Sequence, residues 1–227
     1  SASVALAPFA AAQMSVTNTG LNTYAVHADG GAVSGDYYGS GNDDDFSEFG
    51  ITTFQFSNFD FGFDVETITD VELALTVNDR TFSDGTAVEF FYVDDTPSEL
   101  GGDYSSLSYD TSVFNGLDSS QFVNAPVSLG VFEIQPTDSA REGEVDMFDL
   151  NFTGDALSGL TQKVVDGEEF GILIATTDAA WDITYSGVGN TFDPGDPELT
   201  VEAVPEPATM TVLGLGALAL LRRKRTK

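Results

Sequence analysis

Apolar residues alternate with polar ones along most of this 227-residue chain, and that alternation predicts strands. The cleanest case is Val71, Leu73, Leu75 and Val77, with Glu72, Ala74 and Thr76 on the opposite face. Turn residues at Asn78-Asp79 and Ser83-Asp84-Gly85 lead on to Val88, Phe90 and Tyr92, so residues 71–93 read as a hairpin. Upstream, residues 51–56 alternate as far as Ser57-Asn58. Phe59, Phe61 and Phe63 then resume at period two after a break that predicts a turn or bulge. Downstream, strands are expected at 122–127, 129–134, 144–152, 169–176, 183–188 and 198–204. Residues 96–120 read as a long irregular crossing, and residues 15–45 as one or two short strands with a turn-rich loop. Only residues 155–165 have helical spacing, with Asp155 as the cap and Leu157, Leu160 and Val164 on one face. Roughly nine or ten short strands with at most one short helix predict an all-β domain, a jelly roll or β-sandwich.

The pattern changes at Val204. Pro205-Glu206-Pro207 is stiff, because each proline fixes its φ angle. Ala208 to Leu221 is almost wholly apolar, and Arg222, Arg223, Lys224, Arg225 and Lys227 form a basic end. As a helix the 14 apolar residues would span about 21 Å, shorter than the ~30 Å hydrocarbon core of a bilayer. Cations directly after an apolar run stay on the cytoplasmic side, so this short hydrophobic helix reads as a membrane-held tail with the rest of the chain outside. The order of the three parts resembles the PEP-CTERM sorting signal of Gram-negative bacteria. The resemblance implies that an exosortase recognises Pro205, Glu206 and Pro207, cuts near them and releases or transfers the protein to the cell surface. Anchoring in the inner membrane would then be transient. A permanent single-span anchor is the other reading of the tail.

The start of the sequence points the same way. Residues 1–12 read as the remnant of a secretory signal peptide, since Ala10-Ala11-Ala12 before Gln13 fits the small-x-small cleavage rule, or else as an alanine-rich disordered start. Export by the Sec machinery follows as an expectation. The chain therefore divides into a signal remnant (1–12), a β-sandwich body (13–203) and a sorting signal (204–227).

Charge sharpens this division. Five of the eight Lys and Arg residues lie after Leu221, leaving Arg80, Arg141 and Lys163 in the body against 36 acids, a net charge of −33. Such a surface repels nucleic acid and anionic lipid and attracts cations. An anionic exopolysaccharide becomes a partner only where divalent cations bridge the two. Cysteine is absent, which excludes thiolate zinc sites and thiol catalysis.

Candidate chemistry is sparse. Asp43, Asp44 and Asp45, with Asp36, Asn42 and Glu48 nearby, could supply oxygen ligands to Ca²⁺, or could simply form a solvated acidic loop. The stretch from Asp193 to Glu198 is a second such candidate, or a proline-fixed turn. His27 is the single histidine; it reads as a polar strand residue, because no Gly-x-Ser-x-Gly elbow accompanies it. Trp181 and Tyr185, with Tyr37 and Tyr38, could make a sugar-stacking platform, with core packing the alternative for Trp181. Ile68 to Leu75 resembles the leading strand and hairpin of DNRLRE-type jelly-roll domains, and residues 170–174 and 197–201 resemble their closing strands. These domains are similar to carbohydrate-binding modules.

Three functions follow in order. The first is a non-enzymatic exported protein of the surface or extracellular matrix (a biofilm component), with a structural or matrix-associating role. The second is an exopolysaccharide-binding module assisted by Ca²⁺. The third is a glycan-active enzyme, which needs two carboxylates ~5–10 Å apart in a cleft.

Overall fold

The computed structural model describes residues 13–27, 32–34, 36–40, 48–78, 87–100, 104, 106–110, 116–135, 140–177, 182–189 and 195–206. Twelve strands lie among these residues. In chain order they are β1 (Met14–Thr19), β2 (Asn22–His27), β3 (Ala32–Ser34), β4 (Asp36–Ser40), β5 (Glu48–Gln55) and β6 (Val65–Thr76). They continue as β7 (Ala87–Val93), β8 (Val127–Glu133), β9 (Val145–Asp149), β10 (Glu169–Thr176), β11 (Asp182–Ser186) and β12 (Glu198–Pro205). Two α-helices accompany them, a single turn α1 (Asn58–Phe61) and the longer α2 (Gly154–Asp166). The smaller sheet has the order β1-β12-β6-β9. The larger has the order β11-β4-β5-β10-β7-β8, with β2 beside β5 and β3 beside β2. All pairings are antiparallel, and the two sheets pack as an all-β sandwich.

Several expectations need correction. Residues 71–93 are not a hairpin: β6 bonds β12 and β9 in the smaller sheet, whereas β7 bonds β10 and β8 in the larger. Period two shows that a strand buries one face, not which neighbour it bonds. Residues 59–63 are not a strand either. Ser57 and Asp60 close a helical turn through Ser57 N–H and Oγ–H donating to Asp60 Oδ2 (2.8 and 2.9 Å), and Gly62 ends it in the left-handed region at φ 72°. Residues 122–126 form a loop after a 3-10 turn at Ser119–Gln121, and a single strand, β8, follows. Residues 15–45 hold four strands rather than one or two.

The main core lies between the sheets. β12 alternates strictly, burying Leu199, Val201, Ala203 and Pro205. Its partner β6 does not: Val65, Ile68 and Val71 are three residues apart. Two register shifts reconcile the periods. Val71 stands opposite Val201, Ile68 opposite Ala203 and Val65 opposite Pro205, so Glu66 and Thr69 are extra residues on the β6 side. Each is a β-bulge, and together they keep all three apolar residues of β6 facing inward. Helix α2 lies against β6 and adds Ala156, Leu160 and Val164 to the same core.

β10 is buried on both faces. Phe170, Ile172 and Ile174 face the smaller sheet, while Leu173 and Ala175 face a second core on the far side of the larger sheet. The long crossing between β7 and β8 covers that side with Leu100, Tyr104, Leu107, Tyr109 and Phe122. Gly171 permits the close approach. A Cβ there would sit 3.0 Å from Ile51 Cγ2, 3.2 Å from Val93 Cβ and 3.3 Å from Tyr104 Oη.

Asp95 ties the crossing down. Its buried carboxylate accepts from Val123 N (2.7 Å), Asn124 N (3.1 Å) and Asn124 Nδ2 (3.1 Å). Removing the acceptor strands these donors. Asp95→Ala is therefore expected to lower the unfolding free energy by about 2–3 kcal/mol, read as the urea midpoint at constant m value.

Candidate functional site

The site with the clearest chemistry is the point where β12 leaves the sandwich. Pro205 is the last buried residue of the β12 series and pairs with Val65. One residue on, Glu206 is exposed, and its N–H donates to Asp64 O at 2.8 Å. Val65 N donates to Asn58 Oδ1 at 2.9 Å, so α1, the start of β6 and the end of β12 form one connected end of the sandwich. Gln55 Nε2 joins α2 to this end by donating to Gly167 O at 2.6 Å. Pro205 thus has two parts: a core residue of the body and the first residue of the sorting motif. Pro207, Arg222, Arg223, Lys224 and Arg225 lie outside the described residues.

The other candidates fare differently. Asp43, Asp44, Asp45 and Trp181 also lie outside the described residues. Among the described residues, no group of three or more His, Cys, Asp or Glu side chains is placed to hold a metal ion. His27 pairs with Glu48 across β2 and β5. Asp196 accepts from Gly189 N at 2.8 Å, and Asp193 and Pro194 lie outside the described residues.

Tyr185 is not part of a stacking platform. It is fully buried, and its hydroxyl donates to Asp146 Oδ2 at 2.9 Å. Asp146 is also bonded by Arg141 Nη2, while Arg141 Nε donates to Glu144 Oε2 at 2.8 Å and Nη1 to Gln135 O at 3.0 Å. The aromatic pattern signals a strand here, but alternation alone does not say which face the tyrosine takes.

A groove of about 610 Å³ runs between Thr96–Glu99 and the C-terminal turn of α2, with Lys163, Glu168 and Glu169 on its wall. Lys163 Nζ is 3.1 Å from Glu168 Oε2 and 4.0 Å from Asp94 Oδ1, so its charge is already paired. Backbone and side-chain hydrogen bonds from Thr96 hold the Glu99 carboxyl below its ordinary range. None of the described lining residues is aromatic, so among them the groove offers carboxylates and no stacking surface.

Sequence reasoning missed two features. The first is the reach of β12 to Pro205, although the series Leu199, Val201, Ala203, Pro205 was there to find it. The second is the anchoring of residues 123–124 by Asp95, a contact across 28 positions that no local pattern signals.

The geometry defines an all-β sandwich whose last core strand runs directly into a C-terminal sorting segment. The PEP-CTERM protein-sorting motif is matched at residues 203–225, about a tenth of the chain. The chain is therefore an exported protein of a Gram-negative-type cell envelope, processed by an exosortase. The first three matched residues, Ala203 to Pro205, are still inside β12. No curated protein matches the chain. Among the described residues, no helix is long and apolar enough to cross a membrane.

Two measurements check this picture. A chain ending at Glu206 keeps Pro205 buried and the bond to Asp64, whereas a chain ending at Val204 loses both. Losing about 1 kcal/mol of burial should lower the melting temperature by about 3 °C. The second concerns the buried phenols. Burial first, then neighbouring negative charge, raises the pKa of Tyr92, Tyr104 and Tyr185. A phenol raised in the fold but ordinary when unfolded stabilises the fold fully below about pH 10, and that contribution is lost as pH rises further. In an alkaline titration at 295 nm these three should ionise only together with loss of the near-ultraviolet circular dichroism.

Proposed function

We propose that the sandwich is a non-enzymatic structural or matrix-associating protein of the cell surface or extracellular matrix. Sec export delivers it across the inner membrane, where the Ala208–Leu221 segment holds it transiently until the exosortase acts at Pro205-Glu206-Pro207. One observation carries this reading: the matched sorting motif continues without a linker from the last core strand, so the whole described body is its cargo. The described polar clusters support a structural role. Asp95 is taken up by loop anchoring, Asp146 by Arg141 and Tyr185, and Lys163 by Glu168. The acidic surface favours matrix contacts bridged by divalent cations, and exopolysaccharide is the partner that chemistry suits.

The test separates sorting from folding. Pro205 is a core residue, so it is kept, and Glu206→Ala with Pro207→Ala is made in the producing cell. The double variant should accumulate in the membrane fraction with its tail attached, while the unaltered chain is released. Normal release of the variant, measured by immunoblot of fractionated cells, would remove the sorting reading.

A further inference from the structure

Phe59 is the most exposed large apolar side chain among the described residues, at 92%. Its position follows from the helical turn that holds it. At about 100° per residue, Phe59 and Phe61 point to nearly opposite sides of α1. Phe61 is buried, with ring centroids 6.4 Å from Phe56 and 5.9 Å from Phe63, so Phe59 is directed outward. The turn is closed at both ends, by Ser57 on Asp60 and by Gly62 N on Asn58 O at 2.9 Å. α1 also packs beside β1, whose first residue, Met14, is half-exposed as well.

This turn lies where the tail departs. Glu206 is bonded to Asp64, two residues past Gly62, and only Pro207 separates it from the apolar run beginning at Ala208. At ~3.5 Å per residue, Ala208 is within about 7 Å of Glu206. The apolar run is itself short of the hydrocarbon core by roughly 9 Å. A short segment thins the bilayer and draws its flanks inward, which pulls this end of the sandwich onto the lipid surface.

We propose that Phe59 is a lipid contact. While the sorting segment is embedded, α1 lies on the bilayer that holds it, and Phe59 enters the boundary between headgroups and acyl chains. This rests on the reading of Ala208–Leu221 as the membrane-held part of the chain. The contact suits zwitterionic rather than anionic headgroups, because Asp60, Asp64, Glu66 and Glu206 share this end of the molecule and repel an anionic surface. One aromatic side chain orients the sandwich but does not hold it, since even a whole myristoyl chain binds a membrane only marginally.

The chain contains no cysteine, so a single engineered one is a unique labelling position. The full chain carrying Phe59→Cys is labelled with an environment-sensitive dye and reconstituted into phosphatidylcholine vesicles. A control carries Glu133→Cys, an exposed position paired with Ala87 at the opposite end of the sandwich. Near-ultraviolet circular dichroism verifies folding of both. The expected result is a blue-shifted emission at position 59 that spin-labelled lipid quenches several-fold more than at position 133. If the chain floats with the vesicles but aqueous iodide quenches both positions equally, the Phe59 contact is wrong and the anchoring reading survives. If the chain does not float with the vesicles at all, the anchoring reading falls and the contact falls with it.

Discussion

The pairing of β12 with β6 is the constraint on which the rest of the molecule depends. β12 occupies the interior of the smaller sheet, between β1 and β6, and its inward residues repeat every two positions. β6 offers its inward residues every three positions over Val65, Ile68 and Val71. Without the bulges at Glu66 and Thr69, one of the two strands would turn a valine or isoleucine to solvent and a charged or hydroxyl side chain into the core. With them, the sheet stays closed as far as Pro205, and the core runs to the first residue of the sorting motif. The first three residues of the motif, Ala203 to Pro205, are therefore the end of a structural strand.

The second constraint is the burial of the larger sheet on both faces. An antiparallel sheet commonly leaves one face to water. Here the smaller sheet covers one face and the crossing between β7 and β8 covers the other. Among its described residues that crossing has only the 3-10 turn at Ser119–Gln121, so their hold comes from apolar burial and from Asp95. The carboxylate gathers two backbone N–H groups and one side-chain amide from residues 123–124, directly after the buried Phe122. A loop that looks dispensable by composition is thus half of a hydrophobic core.

Much of this was legible in the sequence. The run Phe170 to Ile174, the helix at 155–165 and the final strand were each visible in their periodicity, and the all-β class followed from their sum. Pairing was not legible. Val71–Val77 and Val88–Tyr92 have the alternation and the turn residues of a hairpin, yet they belong to opposite sheets. Alternation specifies a buried face, and two facing sheets satisfy it as well as two bonded strands. Phe59 to Phe63 misled for a related reason. Three aromatics at period two mimic a strand, but Ser57 and Asp60 supply a helix start, and local capping outweighed the alternation. The sorting motif was the most legible feature because it is a linear signal whose parts are recognised in order. The acidic loop at Asp43 to Asp45 carried no comparable order of ligand spacing.

The charge distribution gives the position of Pro205 its physical consequence. The basic residues after Leu221 are the only dense positive charge in the chain, and the body they follow carries −33. A surface this acidic has no adhesion of its own to anionic lipid, and the acids around α1 oppose close approach to it. In the proposed reading, covalent continuity through Glu206, Pro207 and Ala208 is then the dominant tie between the sandwich and a bilayer. A cut in that short stretch removes the apolar segment and five of the eight Lys and Arg residues, while the core, closed at Pro205, keeps its apolar residues. A cut before Pro205 would instead open the end of the β12–β6 pair. The fold thus makes the position after Glu206 the one at which release and stability do not conflict.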